Sequence, residues 1–294
     1  MHSDIGEKIR KLRIDRNMTQ AELAGDQITR NMLSRVENGA ALPSLPTVWY
    51  LAERLDVPAG FLLAEGDDDR VWRKMNRIDS IRRMLRSGEA RICLELCRSE
   101  GDADDEIYLI MAQASLALGT EAFESGRLHH ACKALDEALE YAEKTIYNTS
   151  AIRTSAALYF RFMHGLSPTL YSEVMADVDD PMLGATDPFG RYVLAREALK
   201  AGEARRVESY LSKENGQDSW QAHFRAHLAM KKGDYVTAEH ALSRLLHAQT
   251  GGEVLLYCVF CDLEICCREL DDFKGAYEYS QSKMALLEKM LRKE

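Results

Sequence analysis

The sequence predicts an all-α chain, with a five-helix N-terminal domain built on a helix-turn-helix followed by an array of helical hairpins. Three observations predict it. Apolar residues recur at three- and four-residue steps, and after residue 65 no run alternates as a half-buried strand would. Ser, Thr and Gly punctuate the first sixty or so residues as helix starts and stops. Six turn residues, Gly88, Gly126, Gly165, Gly202, Gly233 and Asp271, then lie 38, 39, 37, 31 and 38 residues apart. Helical hairpins that bury their apolar faces on one another repeat at that distance.

The first predicted helix carries Ile5, Ile9 and Leu12 on one stripe, with Lys8, Lys11 and Arg16 turned to solvent or phosphate. Thr19 and Glu22 have capping-box spacing, and Leu23 and Ala24 are the apolar residues of a short second helix. Gly25 and Asp26 supply the turn. Thr29 is the N-cap of a third helix in which Met32 or Leu33 points inward with Val36, leaving Arg30, Asn31, Ser34 and Arg35 outward. Asn38-Gly39 ends that helix, because glycine accepts the left-handed conformation found there. Pro43 marks a turn, and a fourth helix runs from Thr47 to Leu55 with Val48, Leu51, Ala52 and Leu55 apolar. Phe61, Leu62 and Leu63 close the small core.

Residues 5 to 63 resemble the lambda-repressor-like (XRE-type) DNA-binding domain. The matching strings are Met18-Thr19-Gln20-Ala21-Glu22-Leu23-Ala24, Ser34-Arg35-Val36-Glu37-Asn38-Gly39, Pro43-Ser44-Leu45 and Leu51-Ala52-Glu53-Arg54-Leu55-Asp56-Val57-Pro58. The resemblance implies that the third helix lies in the major groove of double-stranded DNA, with Arg30, Asn31 and Met32 against base edges. Arginine suits the guanine O6/N7 pair and asparagine the adenine N6/N7 pair. It further implies that Gln20, Thr29, Ser34, Arg35 and Asn38 face the DNA backbone, and that Arg13 and Glu37 form an internal salt bridge. Residues 1 to 65 hold eight Lys/Arg and nine Asp/Glu, but the cations cluster in the first and third helices while Glu53, Asp56 and Glu65 fall late.

At 294 residues the chain is long enough for two domains. The expected division is 1–65, an acidic linker over 66–70, and a repeat domain over 71–294. The net charge of −9 comes almost wholly from the part after residue 65, which suits a regulatory domain better than a second DNA contact. The charged, amphipathic start does not read as a signal peptide, and no run reaches membrane-spanning length. Seven scattered cysteines are the usage of a reducing cytosol, so a cytoplasmic protein is expected.

Within the repeat region, Ser125-Gly126-Arg127-Leu128-His129-His130-Ala131, Lys232-Gly233-Asp234-Tyr235-Val236-Thr237-Ala238 and Leu270-Asp271-Asp272-Phe273-Lys274-Gly275-Ala276 share one pattern. A large apolar residue stands two places after the turn residue and a small one three places later. This resembles the tetratricopeptide repeat, and implies a right-handed α-solenoid of tetratricopeptide-like hairpins in which the large residue docks between helices. The last helix, roughly Phe273 to Arg292, carries Met284, Leu287, Met290 and Leu291 as a solenoid cap or dimer surface.

Cys258, Cys261, Cys266 and Cys267 lie in an apolar helix without the knuckle turns of a zinc site and read as core packing, as do Cys93 and Cys97. His223 and His227 share a face, but the glutamate of a zinc-protease motif is missing between them, and they read as ordinary helix surface. There is no Gly-rich phosphate loop and no nucleophile elbow, and the Asp179-Asp180 pair falls in a predicted loop. No metal, cofactor or enzymatic activity is expected. The first helices of the hairpins supply candidates for a ligand groove. These are Tyr108 and Gln113, then Tyr159, Arg161 and Phe162, then Tyr192 and Arg196, then His223 and Arg225, and finally Tyr257.

The combination resembles the Rgg and PlcR-like group of peptide-responsive regulators. That implies a homodimer on a palindromic operator, with the repeat domain binding a peptide or protein ligand. The alternative is a protein-docking scaffold with a DNA-binding address domain. A narrow, closed groove favours the first and a broad, open one the second.

Overall fold

The computed structural model describes residues 4–64, 67–99, 103–168, 187–211, 218–248 and 251–292. All secondary structure among them is helical, in sixteen helices. The chain divides into two compact units, Met1–Arg83 and Met84–Glu294, and the division falls inside one helix.

The first unit holds α1 (Asp4–Asp15), α2 (Gln20–Ala24), α3 (Arg30–Glu37), α4 (Leu45–Arg54), α5 (Ala59–Leu63) and most of α6 (Asp67–Arg86). Its core is Ile9, Leu23, Leu33, Val36, Val48, Leu51, Leu55 and Leu62, all nearly or fully inaccessible to solvent. The caps form where the sequence places them. Thr19 Oγ1 accepts from the Glu22 amide at 3.1 Å while Glu22 Oε2 accepts from the Thr19 amide at 2.6 Å. Thr29 Oγ1 accepts from the Met32 amide at 3.2 Å. Gly39 ends α3 at φ +69°. Gly6 is buried where α1 meets α3, and a methyl group there would collide with the Val36 carbonyl.

One open alternative is settled and four expectations change. Leu33, not Met32, points inward. Leu63 is 48% exposed, because α5 is a single turn and turns only Leu62 fully into the core. Ser44 starts α4 ahead of Thr47, with Pro46 in the first turn where its missing N–H costs nothing. Lys8 does not reach outward, since its ammonium donates to the Phe61 and Ala64 carbonyls and satisfies the acceptors at the end of α5. The acidic run Asp67–Asp69 opens α6 and does not precede it.

The second unit continues with α7 (Ala90–Ser99), α8 (Asp105–Glu124), α9 (Leu128–Glu143), α10 (Ser150–Leu166), α11 (Pro188–Lys200), α12 (Ala204–Leu211), α13 (Ser219–Lys231), α14 (Tyr235–Ala248), α15 (Glu253–Glu269) and α16 (Phe273–Leu291). Gly88, Gly126, Gly202, Gly233 and Asp271 all adopt positive φ between helices. Gly165 does not mark a turn but lies inside α10. The Asp177–Pro181 stretch, with Asp179-Asp180, lies outside the described residues. The small repeat residues Ala131, Ala238 and Ala276 are buried as the spacing predicts. The large ones grade from Leu128, fully buried, through the half-buried Tyr235 to Phe273, 66% exposed. Phe273 opens α16.

The hairpins do more than stack in sequence. The inner helices touch in a cycle: α8 on α10, α10 on α11, α11 on α13, α13 on α15, and α15 back on α8. α16 likewise reaches α9. At the seam Gly252 lies against the Glu124 carbonyl so closely that any side chain would collide, and Gly126 faces Glu253 and Met290. Aromatic packing joins α8, α10, α11 and α13. Phe123, Tyr159, Phe162, Phe189, Tyr192, Trp220 and Phe224 form one cluster, with the Tyr159 and Phe189 ring centres 4.5 Å apart.

Candidate nucleic-acid interface and ligand pocket

The outward face of α3 carries Arg30, Asn31 and Arg35 exposed, Met32 at 36% exposure and Ser34 half-buried. Thr29 stands exposed at the start of the helix and Asn38 exposed at its end. The first turn of α3 holds no acidic residue, so the partial positive charge of the helix end is not offset there.

A buried polar knot holds this face still. Glu37 accepts from Arg13 Nε at 2.6 Å and Arg13 Nη2 at 3.0 Å, and from Gln20 Nε2 at 2.8 Å. Its side chain is 1% exposed. Burial alone would push the Glu37 carboxyl up, but the hydrogen bonds from Arg13 and Gln20 and the Arg13 charge outweigh it and hold it below the usual range. Arg13 Nη1 also donates to the Met18 carbonyl at 2.9 Å, so one guanidinium ties α1, the α1–α2 turn and α3 together. Gln20 therefore joins α2 to α3 and retains a second amide hydrogen for another acceptor.

In the second unit a pocket of about 330 Å³ opens among α10, α11, α13 and α15. Of the groove candidates, Arg161, Phe162, Arg196, His223 and Tyr257 line it. Tyr159 and Tyr192 are buried in the aromatic cluster. Tyr159 donates to Asp187 at 3.4 Å, and the Tyr192 hydroxyl accepts from Arg196 at 3.2 Å. Tyr108 stacks on Tyr141, while Gln113 and Arg225 are exposed elsewhere.

His223 and His227 overturn the reading of an ordinary helix surface. His223 is 2% exposed and His227 half-buried, and both turn to Asp262 on α15. His227 Nδ1 lies 2.9 Å from Asp262 Oδ2 and His223 Nε2 3.4 Å from the same oxygen. The Cys258 main chain is also close to His223, yet neither ring nitrogen completes a hydrogen bond. Burial drives the His223 imidazole down to about 4, against the pull of Asp262. For Asp262 burial pushes up, but the His227 hydrogen bond and the neighbouring cationic groups prevail and keep the carboxyl low. Burial pushes the Cys258 thiol up to about 12, so it stays neutral. Asp262, Glu197 and Lys200 were missed from the sequence. Asp262 had a legible signal, since a carboxylate amid the apolar run of α15 must find partners.

Residues 9–62 match the family model described as helix-turn-helix. With the capped α2–turn–α3 geometry, this makes the N-terminal unit a helix-turn-helix DNA-binding domain of the XRE type. No curated protein matches the chain. Solved structures similar to it include PlcR of Bacillus thuringiensis in complex with the peptide PapR7 and DNA, at 16% identity over 99% of this chain and 100% of that one, TM-score 0.25. The apo form of the competence regulator ComR from Streptococcus vestibularis is 16% identical over 97% and 92%, TM-score 0.21. ComR from S. thermophilus, in complex with DNA and its signalling peptide ComS, is 14% identical over 96% and 99%, TM-score 0.24. Superpositions this loose carry no residue, ligand or partner across to this chain. Among the described residues no helix is long and apolar enough to cross a membrane.

Proposed function

We propose that the protein is a dimeric, sequence-specific transcription regulator whose repeat unit senses a ligand. The observation that carries this reading is α3, an exposed Arg30-Asn31-Met32 edge on a helix capped by Thr29 and clamped from behind by the Glu37 knot. Side chains on a rigid helix can read base edges, whereas the same residues on a mobile loop would lose affinity to ordering. Arg30 and Asn31 are the base-reading residues, and Gln20, Thr29, Ser34, Arg35 and Asn38 position the domain on the phosphates. Two copies would read a palindrome with half-site centres about one helical turn apart. Ligand binding would shift the population of DNA-competent dimers.

The pocket of about 330 Å³ supports a small ligand or part of a peptide over a docked protein partner, which needs a broad surface of about 800 Å² per side. The test is a mobility shift of the full chain on its own upstream DNA, at fixed salt and against random competitor. The expected result is a specific, salt-sensitive shift with a two-fold symmetric footprint. Equal affinity for upstream and random DNA would overturn the reading.

A further inference from the structure

The pocket in the repeat unit has an asymmetry in its polar groups. Its two carboxylates are engaged: Glu197 accepts from Arg161 with both oxygens at 2.9 Å, and Asp262 accepts from His227 at 2.9 Å. Three of its donors are not matched in the same way. The half-buried Arg196 lies over the Tyr192 ring and donates to the Tyr192 hydroxyl, but makes no ion pair among the described residues. Lys200, exposed at the pocket, makes none among them either. His223, buried at the pocket wall, has the Asp262 carboxylate 3.4 Å from Nε2 but completes no hydrogen bond at either ring nitrogen. A buried polar group in that state costs free energy unless something enters to meet it. Phe162, Leu166, Val193 and Tyr257 supply apolar wall, and the buried Cys258 thiol adds no negative charge.

We infer that this pocket takes a carboxylate carried on an apolar group, with Arg196 and His223 holding the carboxylate and Phe162, Leu166 and Val193 holding the apolar part. The inference rests on the ligand-sensing reading above and names the chemistry of its ligand. A guanidinium fork matches a carboxylate's two oxygens, and imidazole can donate a further hydrogen bond. The volume of about 330 Å³ is at the small end of the range for ligand sites, so it encloses one residue-sized group and not a whole peptide. The carboxylate can belong to a free organic acid or to the C-terminal residue of a peptide.

The experiment is calorimetric titration of the full chain with 3-phenylpropionate, 3-phenylpropionamide, the tripeptide Ala-Ala-Phe and its C-terminal amide. Each acid is expected to bind at least about tenfold more tightly than its amide, the loss of one charge-assisted contact. Tighter binding of Ala-Ala-Phe than of 3-phenylpropionate assigns the carboxylate to a peptide end, and the reverse order to a free acid. Arg196→Gln should erase the acid preference, whereas Arg225→Gln, exposed outside the pocket, should leave it intact. The acid–amide contrast in the unmodified chain does not depend on how any variant folds. Amides binding as well as acids would overturn the inference, as would no binding by any of the four probes. A mobility shift on the same samples separates the two readings. Specific DNA binding without probe binding overturns the pocket chemistry alone. Acid-selective binding that leaves DNA affinity unmoved upholds the pocket chemistry and overturns ligand sensing.

Discussion

Arg30 and Gln20 lie on neighbouring helices and do different work. Arg30 is exposed, so Arg30→Ala should leave the fold intact and relax sequence preference by about 1–3 kcal/mol at one base position. Gln20→Ala should weaken binding to all sequences and also loosen the Glu37 knot. Equal effects of Arg30→Ala on specific and random DNA would sink the base-reading assignment. Glu37→Ala strips Arg13 and Gln20 of their shared acceptor and should destabilise the first unit by about 3 kcal/mol, read from urea unfolding. His223 sets a pH dependence of its own. Its imidazole falls from 6.5 to about 4 in the fold, where it faces Asp262, His227, Arg196 and Cys258. The unfolded chain therefore takes up that proton near pH 6.5 and the folded chain only near 4. Its contribution to stability is present above 6.5 and is lost as pH falls towards 4, by up to about 3 kcal/mol. Urea midpoints between pH 7 and 4.5 should trace the loss, and His223→Gln should flatten it. At this scale the sequence was legible where partners are local. The Thr19 and Thr29 caps bind amides three residues on, while the Asp262 carboxylate that meets His227 lies 35 residues away on another helix.

Whole helices follow from local chemistry more closely than their buried faces do. Thr19→Ala should cost about 1 kcal/mol, because the short α2 has little other than its capping box to fix its first turn. Gly165 offers the opposite outcome. Its spacing predicts a turn, but it sits inside α10 with no neighbour within reach of an added methyl group. Gly165→Ala should therefore raise stability by about 0.5–1 kcal/mol in a thermal melt. Gly165 fits the spacing of the turn residues but lacks the positive φ that Gly88, Gly126, Gly202 and Gly233 adopt. Cys258 and His223 show the same gap between element and face. Periodicity places each on a helix, but which side of that helix meets a pocket depends on helices from other hairpins.

The ring of inner helices belongs to the whole second unit. Its seam depends on the absence of a side chain at Gly252, where the start of α15 meets the Glu124 carbonyl at the end of α8. Lys289 on α16 adds a charge-assisted hydrogen bond to Glu253 at the same place. Gly252→Ala should open the seam. The expected signature is earlier unfolding of the second unit and faster hydrogen exchange in α15 and α16, with the first unit unaffected. Exchange unchanged from the parent chain would show that the seam carries no strain. The sequence by itself determined the all-helical class, the Thr19 and Thr29 caps, the turn positions other than Gly165, and the exposed edge of α3. Each of these is settled by residues within a few places of one another, where hydrogen bonds and φ preferences act without help from the rest of the chain. Only the tertiary structure decided that α15 returns to α8, that Asp262 lies between two histidines, and that Arg161, Arg196, His223 and Tyr257 share one pocket. Those outcomes join residues that are far apart in sequence, and they follow from how the curvature of successive hairpins adds up, which no local pattern encodes.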